Sequence, residues 1–311
     1  MRKMLNCRNV IVCSLMLIVC SCGEKETSTK KKPESKEQKN YTLEELFSDP
    51  DMSATFAKQK AKELASLLPA EVLARQYPIV RMYTEKNSIR EALEYFWRVD
   101  VKRQLKIIKK GIAELEKGPT LKITILLDSH PVLQHKQTEE SLRRQALISE
   151  YVRTSSPEVV FKENDPVDEM TWASFLQELA KWEPEALANA TKIGPEEFFG
   201  NYKANGLHSW HFDYIGQSDQ KIFGVEDYYL GTLIPTLFMF VEESLNRNVY
   251  LAGVMNLNFV WRDQIMLAHI VQQMRKHGYT EALFVVGQAH ETSLTVLCKQ
   301  WGIDVQVVSL E

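Results

Sequence analysis

The chain has 311 residues, with 44% hydrophobic and 25% charged side chains, 13 Gly, 11 Pro, 7 His and 5 Cys. That composition excludes collagen-like, wholly disordered and disulfide-scaffold classes and fits one large or two small globular domains. The net charge of −3 averages unlike segments: residues 1–21 carry three basic and no acidic residues, whereas residues 41–311 hold 29 basic and 37 acidic ones, which predicts no nucleic-acid partner.

Arg2, Lys3 and Arg8 precede an apolar run from Val10 to Cys20, too short for a membrane span and of the length of a secretory signal. Val19-Cys20-Ser21-Cys22-Gly23 resembles the bacterial lipobox, in which the last cysteine is lipidated after cleavage. The resemblance implies a signal peptide over residues 1–21 and acyl groups, palmitate among them, on Cys22. Four of the five cysteines fall in this segment, so only Cys298 remains as a thiol and no intrachain disulfide can form. Residues 22–40 comprise the lipidated Cys and a polar tether. The tether's 18 residues lack any aliphatic or aromatic side chain and would hold the domain on the order of 25 Å from the bilayer.

Residues 41–118 carry helical signals, with Ser88-Ile-Arg-Glu91 a capping box and Gly118-Pro119 a stop. From 119 to 311 the pattern becomes α/β. Strands are predicted at 121–127, 157–163, 220–227, 282–286 and 304–309. Helices are predicted at 137–153, 229–247, about 250–277 and 292–301, with an inserted helical region at about 165–207. Strands alternating with helices predict a largely parallel central sheet flanked by helices. Cys298 has helical spacing and reads as a buried small hydrophobe.

In parallel sheets the chemistry gathers outside the carboxyl ends of the strands. The predicted strand ends deliver His130, Glu163, Glu226-Asp227 and Gly287-Gln-Ala-His290-Glu291 to one rim. Two imidazoles and a carboxylate suffice to hold a catalytic divalent metal, and they can also activate water without one. Asp128 lies in the first of these loops, and Gly287 reads as a residue that lets the chain turn there. Arg262 suits oxyanion stabilisation or, alternatively, a surface ion pair with Asp263 or Glu242. His208 and His211 read as an aromatic-rich loop or lid, and His135, His269 and His277 as loop, helix and helix-end residues. H-E-x-x-H, G-x-S-x-G, Walker A, G-x-G-x-x-G and C-x-x-C are all absent.

At these residues the sequence resembles the superfamily that joins TraB/PrgY and GumN proteins, TIKI metalloproteases, erythromycin esterases and the haem-binding lipoprotein ChaN. Arg262-Asp-x-x-Met266 resembles its R-(N/D)-x-x-M helix, and Gly287-Gln-Ala-His290 its second G-x-x-H element. Ile125-Leu-Leu-Asp-Ser-His130 resembles the first such element, with Leu127 where the family has Gly, and Val159-Val-Phe-Lys-Glu163 resembles the acidic strand. The resemblance covers roughly 120–311 and implies an erythromycin esterase/ChaN-like fold with His130, Glu163, Arg262 and His290 as site residues. Leu127 would crowd the approach that the family's Gly permits.

The leading reading is a lipid-anchored, exported hydrolase, a metal-dependent peptidase or esterase acting on a peptide or small-molecule substrate. His130, Glu163 and His290 would bind Mn²⁺, Co²⁺ or Zn²⁺ or activate water, with Arg262 stabilising the anion and Asp128, Glu226, Asp227, Asp263 and Glu291 as secondary candidates. The alternatives are a haem- or iron-binding lipoprotein using Tyr214, Tyr228 or His211, and an inactive scaffold. The anchor at Cys22 makes the membrane a partner and the bacterial cell envelope the location. Gly23, not Asp, after that Cys resembles the sorting signal for an outer membrane.

Overall fold

The computed structural model describes residues 41–77, 86–128 and 137–310. The lipidation site at Cys22, the signal and tether segments, His130 and His135 lie outside the described residues. Among those described, no helix is long and apolar enough to cross a membrane.

Capping chemistry sets the first helices. Thr42 closes a capping box on α1 (Leu43–Ser48), and Asp49 caps α2 (Pro50–Leu67), whose first residue is the proline that a helix start tolerates. After α3 (Ala70–Ala74), the predicted box at Ser88 forms on α4 (Ile89–Tyr95), with the Ser88 hydroxyl accepting from Glu91 N and the Glu91 carboxylate from Ser88 N. One widened π-turn, Phe96–Asp100, carries α4 into α5 (Val101–Leu115).

The α/β part follows in order: β1 (Lys122–Asp128), α6 (Glu139–Ser155), β2 (Val160–Pro166), α7 (Trp172–Trp182), α8 (Pro184–Ala204) and a 3₁₀ turn at Trp210–Asp213. Then come β3 (Ile222–Glu226), α9 (Tyr228–Phe238), α10 (Arg247–Asn256), a second π-turn at Leu257–Arg262, and α11 (Asp263–His277). Strand β4 (Glu281–Gly287), α12 (Glu291–Gln300) and β5 (Asp304–Ser309) complete it. The protein is an α/β fold with a five-stranded, all-parallel sheet in the order β3-β2-β4-β1-β5, flanked by helices.

All five predicted strands are present. Two helix readings need correction. The helix predicted at 229–247 ends at Phe238, and turns carry the chain to Asn246, whose side chain caps α10. The helix predicted from about 250 begins at Arg247 and is interrupted by the π-turn, because an apolar pattern does not register one extra residue in a turn.

Strand parity divides the core between the two sheet faces. Ile123, Ile125, Leu127, Phe161, Phe284 and Val286 pack on the face that also receives α2, α5, α11 and α12. Leu126, Val160, Leu283 and Val285 face α6 and Trp210. Helices α5 and α11 come close because a Cβ on Gly111 would stand 2.7 Å from the Ala268 backbone. Leu127 is a core residue on β1, paired in register with Val286, so its side chain packs under the sheet. The crowding expected at that position is replaced by ordinary burial.

Candidate active site

Connections from adjacent strands β2 and β4 leave toward opposite faces. The β2–β3 connection places Trp210 and Tyr214 in one core cluster, and α12 places Leu294 and Leu297 in the other. A crevice outside the carboxyl ends of two such strands is where parallel α/β sheets bind ligands. Glu163 stands on β2 and His290 just beyond β4.

A β-bulge aims the acid. The β2–β3 register shifts between Lys162 and Pro166, and Asn164 within it has φ 69°, the left-handed region that non-glycine residues seldom adopt. Across the strand pair, a Cβ on Gly224 would lie 2.0 Å from the Pro166 carbonyl oxygen, so only glycine lets the bulge close onto β3. The bulge brings both Glu163 and Asn164 to Arg262. Arg262 Nη2 lies 2.8 Å from Glu163 Oε1 and donates to Asn164 Oδ1 at 3.0 Å.

The π-turn presents the guanidinium. Arg262 closes that turn, and Asn258, four residues earlier, accepts from Nη1 at 3.0 Å. Glu226, at the end of β3, takes a fork from Nε at 3.1 Å and Nη2 at 2.6 Å. The alternative reading, a surface pairing of Arg262 with Asp263 or Glu242, gives way to a buried pairing, and Glu242 pairs with Arg247. Arginine's planar fork suits such two-sided carboxylate contacts.

His290 ends the 3₁₀ turn Gln288–His290. Its Nδ1 lies 2.6 Å from Asp263 Oδ1, and its Nε2 lies 3.3 Å from Glu163 Oε1 and 3.4 Å from Arg262 Nη1. Ser293 donates its hydroxyl to the other Asp263 oxygen, and the Phe259 ring stands edge-on to the imidazole at 5.1 Å. Gly287 contributes its N–H to Glu163 Oε2 at 2.8 Å. Its φ of −56° is one any residue adopts, so the expected special turn is absent and the backbone donor is its contribution.

The network is dry: relative exposures are 3% for Glu163, 5% for Arg262, 0% for Asp263 and 4% for His290. Burial pulls the His290 pKa down. The charges of Asp263 and Glu163, and hydrogen bonds to both, outweigh it and raise the value to about 10. Burial likewise works against the Arg262 cation, but Glu226 and Glu163 raise its pKa further. Asp263 and Glu163 thus favour an imidazolium at His290 beside the Arg262 guanidinium, and both groups touch the Glu163 carboxylate.

Two of the three residues read as metal ligands meet here. With ligand bonds of about 2.0–2.3 Å, donors on one tetrahedral ion lie about 3.3–3.8 Å apart, and the Nε2–Oε1 spacing of 3.3 Å falls in that range. The third residue read as a ligand, His130, lies outside the described residues; among those described, Glu163 Oε1 also contacts a guanidinium, and no three His, Cys, Asp or Glu form a metal-holding group.

The secondary candidates separate. Asp263 and Glu226 belong to the network. Asp128 is buried beside Gly287 in strand register and accepts from Gln145 Nε2 at 3.2 Å. Asp227 caps α9 through Leu230 N at 3.2 Å and pairs with Arg103. Glu291 is exposed in the first turn of α12. Of the residues read as iron ligands, Tyr214 donates to the Ser149 carbonyl at 2.5 Å and His211 Nδ1 lies 2.8 Å from Ser209 Oγ. Tyr228 lines a cleft described below. Cys298 is buried, which pushes its thiol up to about 12 and leaves it inert.

Sequence reasoning missed Asn164, Asn258 and Ser293. Only Asn258 carries a readable signal, its i,i+4 spacing to Arg262 on a helix. It also missed a second polar group beside the first. Asp100, at the end of the other π-turn, accepts from Arg103 Nε at 2.6 Å, and Gln104 Nε2 donates to Asp100 Oδ2 at 2.9 Å and to Asp227 Oδ1 at 3.2 Å. Gln104 Oε1 takes the Trp261 indole N–H at 2.6 Å, which ties this group to the residue before Arg262. Arg103 and Asp227 line a cleft of about 760 Å³, and Glu226 lines it too while holding Arg262. Compared with protein families, curated proteins and solved structures, the chain matches none.

Proposed function

We propose that the chain is an exported, lipid-anchored hydrolase of the cell envelope whose reaction centre is the Glu163–His290–Asp263–Arg262 network. One observation carries the reading. A buried chain of carboxylate, imidazolium, carboxylate and guanidinium stands at the carboxyl ends of β2, β3 and β4, where this fold class binds ligands. Burying each ion costs several kcal/mol, and apolar residues of similar volume often serve stability as well or better. Charge placed so expensively at a ligand-binding edge marks a functional site.

With His290 protonated at neutral pH, the base is Glu163. Its carboxylate takes a proton from water as the water oxygen bonds to a carbonyl carbon. The carbonyl electron pair moves to oxygen, where Arg262 and the His290 Nε2–H stabilise the anion. As the anion collapses, the bond to the leaving group breaks, His290 supplies that group's proton, and the proton held by Glu163 passes to His290 Nε2, 3.3 Å away, which restores both groups. Asp263 keeps the imidazole oriented and charged, as a buried carboxylate does for a catalytic histidine. No step depends on a metal. A divalent ion would need His130 as a third ligand and would have to displace the guanidinium from Glu163.

The test is hydrolysis of peptide and ester libraries by the full lipoprotein in detergent, with metal content measured on the same sample. Glu163→Gln and His290→Gln, checked for folding by circular dichroism, are expected to lose about 10²-fold or more in kcat. Hydrolysis unchanged in both variants, or absent from the folded wild type, overturns the reading. Stoichiometric metal lost with His130→Ala would replace the metal-free route with a metal-dependent one.

A further inference from the structure

The cleft of about 760 Å³ beside the network lies in the size range of small-molecule sites. Its wall is rich in hydrogen-bond acceptors. Asp100, Asp168, Glu226 and Asp227 contribute carboxylates, against Lys86 and Arg103 as cations. Arg103 is the one cation paired with both Asp100 and Asp227 among the described residues, with Gln104 Nε2 donating to each, and Arg262 pairs with both Glu163 and Glu226, so each guanidinium is shared by two acids.

His269 adds an independent acceptor. Its Nδ1 lies 2.9 Å from the Val225 carbonyl, which fixes the proton on that nitrogen. Burial pushes the ring's pKa down, only partly offset by the Val225 hydrogen bond and Asp227, so it is neutral near pH 7. Nε2 is then an acceptor on a residue that lines the cleft, and no hydrogen bond among the described residues reaches it.

Aromatic walls complete the site. Tyr229 spends its hydroxyl on the Ala92 carbonyl and Tyr228 donates to Glu178 at 3.3 Å, so what they offer a ligand is ring surface. A third ring of the same cleft already takes a cation: Lys86 Nζ sits 4.6 Å from the Tyr95 ring centre.

We infer that this cleft is the substrate-recognition site and that it selects a primary ammonium or guanidinium group, the end of a lysine- or arginine-like side chain. A ligand facing the exposed Asp168 carboxylate, the paired acids Asp100 and Asp227 with one guanidinium between them, and a neutral imidazole acceptor is best matched by N–H donors and positive charge, and tyrosine faces favour the same ligand. Glu226, shared by cleft and network, would place the scissile bond next to Arg262. The word substrate rests on the hydrolase reading, whereas cation binding does not.

The probes are butylguanidinium and its uncharged isostere butylurea, titrated by calorimetry into the full lipoprotein in detergent. Saturable binding of butylguanidinium at or below roughly millimolar is expected, within reach of so small a ligand, with butylurea at least about tenfold weaker. Tyr228→Ala, Asp168→Asn and His269→Gln are each expected to weaken the charged probe about threefold or more, while His290→Gln leaves its binding intact. Equal binding of both probes, no saturation, or binding indifferent to all three cleft variants overturns the inference. Cation binding without any hydrolysis would remove the hydrolase reading alone, and hydrolysis without cation binding would remove this one alone.

Discussion

Two guanidiniums in this molecule, in groups linked through Gln104 and Trp261, are built alike. Arg262 and Arg103 each bridge two carboxylates close to a π-turn, which Arg262 ends and which Asp100, a partner of Arg103, ends in the other group. They differ in water. The side chain of Arg262 is 7% exposed and that of Arg103 47%. A buried cation with buried partners is a permanent part of the electrostatic field, suited to stabilising charge that develops in a reaction. A half-exposed cation over buried acids is screened and leaves its partners able to accept another cation, which suits a recognition cleft.

The largest test of that contrast is Arg262→Met. It leaves Glu163 and Glu226 buried without their counter-ion and is expected to cost about 3–5 kcal/mol of stability, measured by urea denaturation. Arg103→Met should cost less, about 1–3 kcal/mol, because water reaches the half-exposed guanidinium although Asp100 and Asp227 stay buried. Equal losses would erase the distinction between the two groups.

Next in size is the pH dependence, in which the two groups act in separate windows. His290 is raised from 6.5 to about 10, so its stabilising protonation is complete below pH 6.5 and lost as pH rises through 10. Asp100 is raised from 3.8 to about 6 by burial, assisted by the Asp227 charge and opposed by Arg103. Protonation at Asp100 therefore favours the native state below pH 3.8, and that contribution is lost as pH rises through 6. The denaturation midpoint from pH 4 to 10 should lose its alkaline step in His290→Gln and its acid step in Asp100→Asn. Either variant flattening the other's window would contradict the assignment.

The smallest expected effect is Asn164→Gly. Glycine relieves the left-handed backbone at φ 69° but deletes the hydrogen bond to Arg262, and the two nearly cancel, leaving a change within about 1 kcal/mol. A far larger loss would mean that the bulge depends on the Asn164 side chain for more than aiming Glu163.

How far the sequence reaches is clearest at these residues. The five strands were legible because each is a short apolar run between turn signals, and β4, buried along all but its first residue, was the plainest. Glu163 and His290 were legible as polar residues ending such runs. The pairing of Arg262 with Glu226 was not, since it depends on the phase of a helix, and the π-turn at 257–262 shifts that phase without marking the apolar pattern. Asn164 gave no signal because its left-handed backbone follows from the way β2 closes on Gly224, a contact between segments 60 residues apart in the chain. His269 read as an ordinary helical residue, and only the packing of α11 against Val225 reveals its fixed tautomer.

The claim that the rim holds a permanent imidazolium between two carboxylates is tested most directly by ¹⁵N NMR of the His290 ring across pH 5 to 11. The account predicts that both nitrogens stay protonated through pH 8, with titration near 10, and that Asp263→Asn moves the titration downward. A His290 ring that titrates near 6.5 in the folded wild type would contradict it, because a neutral imidazole at pH 7 would make His290, and not Glu163, the base.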